Sequence, residues 1–171
     1  MSKRDANAAA ISVTREFDAP PHRLFRWWTE PRHFIRWFGP ARTDMPVCDL
    51  EPRPGGLLRL CMRYDDGREI WLKGRFREVQ EPDRLVFALW FTDEKGAPAA
   101  HPMYDDWPLD ATFLTTVAFE DVGHRAKLTL HQAVRPLLAA KHPNLLAERD
   151  MARQGWVESF ERLADLLVDA E

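Results

Sequence analysis

A chain of 171 residues, 45% of them hydrophobic and with a formal net charge of −3, is long enough for one domain with a core of its own. Its 24 basic and 27 acidic side chains nearly balance, which gives no electrostatic reason to expect nucleic acid, and no apolar run reaches the length of a bilayer span. The opening MSKRDANAAA lacks the apolar stretch of a signal peptide, and Cys48 and Cys61 stand without metal or redox spacing, so a cytoplasmic protein with no membrane partner is expected.

Residues 1–10 are polar and Ala-rich and read as a frayed or disordered start, followed by a single domain over 11–171. Ile11, Val13 and Phe17 mark a first strand. Between Pro21 and Pro40 the chain concentrates three Trp (Trp27, Trp28, Trp37) and three Phe (Phe25, Phe34, Phe38). Proline suits the first turn of a helix, where its missing N–H would have no partner. Pro21 and Pro31 therefore predict two short consecutive helices, with Thr29 as the candidate N-cap of the second.

Residues 45–50 then read as an edge strand, because Pro46 cannot donate to a ladder. After the Pro54-Gly55-Gly56 turn, Leu58, Leu60, Met62 and Tyr64 alternate with Arg59, Cys61 and Arg63, the pattern of a half-buried strand. Asp65-Asp66-Gly67 signals a tight hairpin. In the next strand, 69–79, Ile70, Leu72, Gly74 and Phe76 share one face, opposite Trp71, Lys73, Arg75 and Arg77. Residues 84–91 are apolar on both faces. A Pro/Gly/Asp-rich stretch over 92–110 follows, carrying Met103, Tyr104 and Trp107; connections of that length are usually functional or disordered. A last hairpin pairs 113–120 with 126–133, and Pro136 and Pro143 punctuate a linker.

Asn144 is the expected cap of a long final helix, on which Met151, Trp156, Phe160, Leu163 and Leu167 form an apolar stripe. Gly155 weakens a helix interior by about 1 kcal/mol relative to Ala, so a close contact with the sheet or the first helices is expected there. A seven-stranded antiparallel sheet must bury one face, and the final helix carries the matching stripe. The expected fold is α+β, a curved antiparallel sheet wrapped around a long C-terminal helix, with two short helices after the first strand.

Five features in this order carry a resemblance. They are the Asp18-Ala19-Pro20 start with its aromatic helices ending Trp37-Phe38-Gly39-Pro40, the Pro54-Gly55-Gly56 turn before Met62-Arg63 and Asp66-Gly67, Gly74, the run Glu81-Pro82-Asp83-Arg84-Leu85, and Gly155-Trp156 followed by Phe160, Leu163 and Leu167. From about Ile11 to Leu167 the chain resembles the AHSA1-like (activator of Hsp90 ATPase homologue 1-like) family of the SRPBCC, or START/Bet v1-like, superfamily. The resemblance implies a helix-grip fold enclosing an apolar cavity. The family's namesake co-chaperone has a separate N-terminal domain to which no segment here corresponds, so chaperone activation is not what the resemblance implies for this chain. Residues 92–110 exceed the family's usual connection.

The six histidines never approach metal-ligand spacing, and no His-Glu-X-X-His, Gly-X-Ser-X-Gly or phosphate-binding loop occurs, so neither metal nor cofactor is expected. His131 is expected to face solvent, and the Arg/Lys stripe to form a solvated convex surface. With the fold implied by the resemblance, the expected ligand cavity is lined by Leu60, Met62, Leu72, Phe76, Phe87, Leu89, Tyr104, Trp107, Phe113, Met151, Trp156 and Phe160, with Met103 as a further adaptable wall. Tyr104 and Trp107 suit either a lid over that cavity or packing on the sheet edge. The leading expectation is non-catalytic binding of a small apolar or amphipathic molecule. Alternatives are an aromatase/cyclase-like enzyme using Tyr64, Glu78 or Tyr104, and a chaperone-related interaction module or homodimer joined through Trp71 and Trp90.

Overall fold

Alternating apolar positions in the middle of the chain become a seven-stranded antiparallel sheet ordered β1-β7-β6-β5-β4-β3-β2. The computed structural model describes residues 10–169. The strands are β1 (Ile11–Phe17), β2 (Thr43–Leu50), β3 (Leu57–Tyr64), β4 (Glu69–Gln80), β5 (Arg84–Thr92), β6 (Phe113–Asp121) and β7 (Ala126–Ala133). Strands β2 to β7 form a meander, while β1 returns to pair with β7. The helices are α1 (Pro21–Thr29), α2 (Pro31–Phe34), α3 (Pro136–Lys141) and α4 (Pro143–Asp169). The sheet curls around α4 in the helix-grip arrangement, and α1 and α2 bridge its two edge strands. Among the described residues no helix is long and apolar enough to cross a membrane. The expected frayed start falls mainly on residues 1–9, outside the described residues.

Local chemistry accounts for the element ends. Pro21 and Pro31 open α1 and α2 as the sequence implies, but Thr29 caps nothing: its hydroxyl donates back to Phe25 O at 3.0 Å. Proline drives the residue before it out of the helical region, so Glu30, at φ −99° and ψ 121°, is the extended N-cap residue of α2. The Glu30 carboxylate accepts from Arg26 and Arg32, and the Arg26 hydrogen bond leads in holding it down at about 2. Asn144 is likewise not a cap. Pro143 already begins α4, and the Asn144 amide donates to Asp106 O at 2.8 Å, tying the helix to the β5–β6 connection. The stretch read as a linker holds the short helix α3. In the β3–β4 hairpin only Gly67 takes a positive φ, +87°, with Tyr64 N–H donating to Arg68 O; this is a three-residue loop with Gly at the left-handed position.

The outer positions of β5, Val86 and Ala88, are as buried as the inward Leu85, Phe87 and Leu89, which fits its place as the central strand. Cys48 lies opposite Leu60 and Cys61 opposite Val47; both thiols are free, and burial pushes them up to about 12 and about 11.

Two separate clusters form the interior. The larger lies where α1, α2 and the second half of α4 meet the concave sheet. There Trp28 packs against Trp37, Trp156 and Phe160 at ring separations of 4.7, 5.8 and 6.1 Å. Trp37 Nε1–H donates to Trp27 O at 2.9 Å, which joins the end of α1 to the chain beyond α2. The smaller cluster gathers Trp107, Ala111, Val134, Ala139 and Leu145, with Tyr104, Phe91 and Phe113 packed against it. The long β5–β6 connection is therefore built into a core of its own.

Candidate functional site

Between the two clusters the sheet and α4 do not meet. They leave a cavity of about 350 Å³, partly open to solvent. Its floor is Met62 and Tyr64 from β3, Ile70 and Leu72 from β4, Leu89 and Phe91 from β5, and Phe113 from β6. Its roof is α4 from Glu148 to Ser159; Phe38, Gly39 and Pro40 close one side, and His101 and Met103 of the β5–β6 connection the other. Strand alternation explains the floor, because Met62↔Ile70 and Leu72↔Phe91 are cross-strand partners whose side chains share the concave face.

Of the residues expected to line a cavity, Met62, Leu72, Leu89, Phe113, Met151 and Trp156 border this one. Leu60, Phe76, Phe87 and Phe160 do not; they share the right face but sit at 0 to 2% exposure within the aromatic core, beyond the cavity's closed end. Tyr104 and Trp107 do not border it either. Trp107 is 6% exposed within the second core cluster, and Tyr104 stacks on it at 5.6 Å. Both rings pack in the second cluster, and the Tyr104 hydroxyl reaches Met151 Sδ at the cavity rim at 3.6 Å. Met103, also from the connection, does border the opening and is half exposed. Met151, read as part of the buried stripe, is 49% exposed at the rim, where the cavity separates that turn of α4 from the sheet.

Gly155 also departs from expectation. A methyl group there would meet only Pro40 Cγ at 3.8 Å, an ordinary contact, so the glycine fills no tight crossing. It borders the cavity instead.

The polar groups of the wall are mostly engaged. Gln132 donates to Thr115 Oγ1 at 2.8 Å and accepts from Trp156 Nε1–H at 3.5 Å. Ser159 accepts from Gly39 N–H at 3.1 Å. Glu158 accepts from Ala41 N–H at 2.9 Å, a bond that holds its carboxyl below the usual range. Burial raises the Tyr64 phenol. Glu148 is different. It is 8% exposed, and His101 Nε2 stands 3.4 Å from its Oε2, yet that oxygen has no hydrogen-bond partner among the described residues. Burial pushes the neighbouring Tyr104 phenol up to about 12, with the Glu148 carboxylate adding to it.

His101 and Glu148 were not singled out by the sequence reading. A signal for Glu148 was present: it lies eight residues before Trp156 on α4, two steps of four along the apolar stripe. No comparable pattern marks His101, which reaches the cavity only through the course of the connection. Glu78, one of three ionisable groups considered for catalysis, pairs with Arg84 at 2.9 Å on the exterior, and the cavity does not reach it. His131 is exposed, as expected. Trp71 is half-buried, with Arg59 of the neighbouring β3 4.7 Å from its ring centre and Glu69 of its own strand accepting from its Nε1–H. Among the described residues no cluster of three or more His, Cys, Asp or Glu could hold a metal ion.

Solved structures share this architecture. A protein from Arthrobacter aurescens is similar at 26% identity over 96% of this chain and 88% of its own, with a TM-score of 0.78. One from Rhodobacter sphaeroides gives 23%, 96%, 95% and 0.74. The AHSA1 protein of Silicibacter pomeroyi gives 22%, 95%, 99% and 0.73. Comparison with curated proteins found no match. The model of the family described as "Activator of Hsp90 ATPase homolog 1-like protein" matches residues 18–168, nearly the whole described chain, and the protein belongs to that family.

Proposed function

We propose that this chain binds a small apolar or amphipathic molecule in the cavity between its sheet and α4. The observation that carries the reading is the cavity itself: about 350 Å³ left open beside a tightly packed aromatic core, with a mainly apolar wall. Ligand sites fall in this size range and combine apolar walls with a few orienting polar groups. Met62, Met103 and Met151 border the space, and methionine adapts to irregular shapes. The fold supports binding in this place but names no reaction, because one fold hosts many functions.

The test is native mass spectrometry of freshly purified protein, joined to titration with the neutral dye Nile red. A co-purified small molecule, or saturable dye binding at one per chain that is lost in Leu89→Trp, is the expected result. Dye binding that Leu89→Trp leaves unchanged would place the site elsewhere, and no binding of any kind would remove the proposal.

A further inference from the structure

Of the 21 described residues that border the cavity, none is Arg or Lys, while two, Glu148 and Glu158, are carboxylates. Glu158 is turned toward the chain beyond α2 and satisfied by Ala41 N–H and Gln154. Glu148 is both buried and incompletely satisfied, its Oε2 lacking a hydrogen-bond partner among the described residues. An unpaired buried carboxylate oxygen is costly, and buried charges are ordinarily paired.

The nearest group does not supply that pairing. His101 Nδ1 accepts from Met103 N–H at 3.1 Å, which leaves Nε2 as the ring nitrogen facing Glu148 Oε2, at 3.4 Å and without hydrogen-bond geometry to it. The other titratable groups near Glu148 are the phenols of Tyr64 and Tyr104, which bring no positive charge; the Tyr104 hydroxyl lies between Met151 Sδ, at 3.6 Å, and the Glu148 carboxylate, on which it is the one other side-chain donor among the described residues. The wall thus presents one acceptor with capacity to spare, set among Met62, Leu72, Leu89 and Phe113, and no built-in cation to use it.

We infer that Glu148 is the polar anchor of the cavity and that the ligand is an apolar molecule ending in a protonated amine. This rests on the small-molecule reading above and adds the chemistry of the head group. The amine places its N–H donors on Glu148, and the hydrocarbon part lies along the floor of β3–β6. A carboxylate head group is rejected, because it would bring a second negative charge to an acidic wall.

The experiment is isothermal titration calorimetry of the full chain with decylamine, decanol and decanoate, each below its micellar concentration. Decylamine is expected to bind roughly tenfold or more tightly than decanol, and decanoate most weakly, since a charge-assisted hydrogen bond exceeds a neutral one by enough for that ratio. Glu148→Gln should bring decylamine down to the level of decanol and leave decanol unchanged, with the urea midpoint of the variant recorded alongside. Equal binding of all three by the unaltered protein overturns the anchor while leaving the cavity reading intact, and does so without any variant. An amine preference that persists in Glu148→Gln overturns it too, giving Glu148 a purely structural role. Failure of all three to bind overturns the anchor together with the cavity reading.

Discussion

From Trp156 to Leu167, α4 is seated in packed rings and aliphatic side chains, with Phe160, Leu163 and Leu167 at 0 to 2% exposure. From Glu148 to Gly155 the same helix faces the same sheet across empty volume. The sheet is not the cause of the difference, since its inward side chains are mainly apolar along both halves, Thr115 and Gln132 apart. The cause is what covers the sheet beside the helix. At the closed end, α1 and the chain beyond α2 deliver Trp28, Trp37 and Phe38 into the space. At the other end the β5–β6 connection turns its large rings away into the second cluster and extends only His101 and Met103 to the cavity. A cavity in this fold is therefore a place where neighbouring elements withhold bulk, and closed and open ends should answer mutations differently.

The largest expected effect comes from the closed end. Phe160→Ala removes a ring that touches Trp28, Trp37, Trp156 and Phe17, and should cost about 4 kcal/mol in urea unfolding. Nile red affinity, read at a urea-free baseline, should change little. A loss of affinity exceeding the loss of stability would show that the two ends are not separate.

Trp107→Ala should come next, at about 3 kcal/mol, because the ring is buried in the second cluster. A lid would behave in the opposite way, with faster dye release and an almost unchanged urea midpoint. Stopped-flow release measured with the unfolding curve therefore decides between packing and gating for this connection.

Gly155 marks the border between the two halves. Gly155→Ala should raise stability by up to about 1 kcal/mol, since the helix gains and the added methyl meets only Pro40. Gly155→Leu should leave the urea midpoint within about 1 kcal/mol of the unaltered protein but weaken dye binding, because the side chain enters the cavity. A marked destabilisation by Gly155→Ala would restore the close contact that the geometry does not show.

The smallest effect belongs to the outer surface of the closed end. Glu30 is held at about 2 chiefly by its hydrogen bond from Arg26, so the folded state favours its charged form. Its contribution is present above the ordinary carboxylate range and is lost as the pH falls through the folded value. Because the group is close to solvent, the difference between Glu30→Gln and the unaltered protein at pH 7 should be below about 1 kcal/mol. It should shrink toward pH 2. A difference that grows on acidification would reverse the assignment.

The succession of strands along the chain, the two proline-opened helices and the stripe of α4 from Trp156 onward were legible in the sequence because each depends on local periodicity or on the backbone limits of proline and glycine. Pro21, Pro31 and Gly67 act where they stand, and Leu58, Leu60 and Met62 declare their face by alternation alone. Alternation also gave the correct face for the cavity floor. It could not separate Met62, Leu72 and Leu89, which border open space, from Leu60, Phe76 and Phe87, which share that face but lie under aromatic rings. That distinction depends on how far α1, α2 and the β5–β6 connection reach, a matter of contacts between residues far apart in the chain. The same holds for Tyr104 and Trp107, whose apolar character was plain but whose partners Val134, Ala139 and Leu145 come from elements the sequence read only as a linker and a helix start. His101 and Glu148, 47 residues apart by their numbers, meet only because the connection crosses the first turns of α4. Sequence fixes which faces are apolar, through periods of two and 3.6 residues; tertiary structure decides which of those faces are filled and which are left open, because packing is a property of volumes brought together from distant parts of the chain.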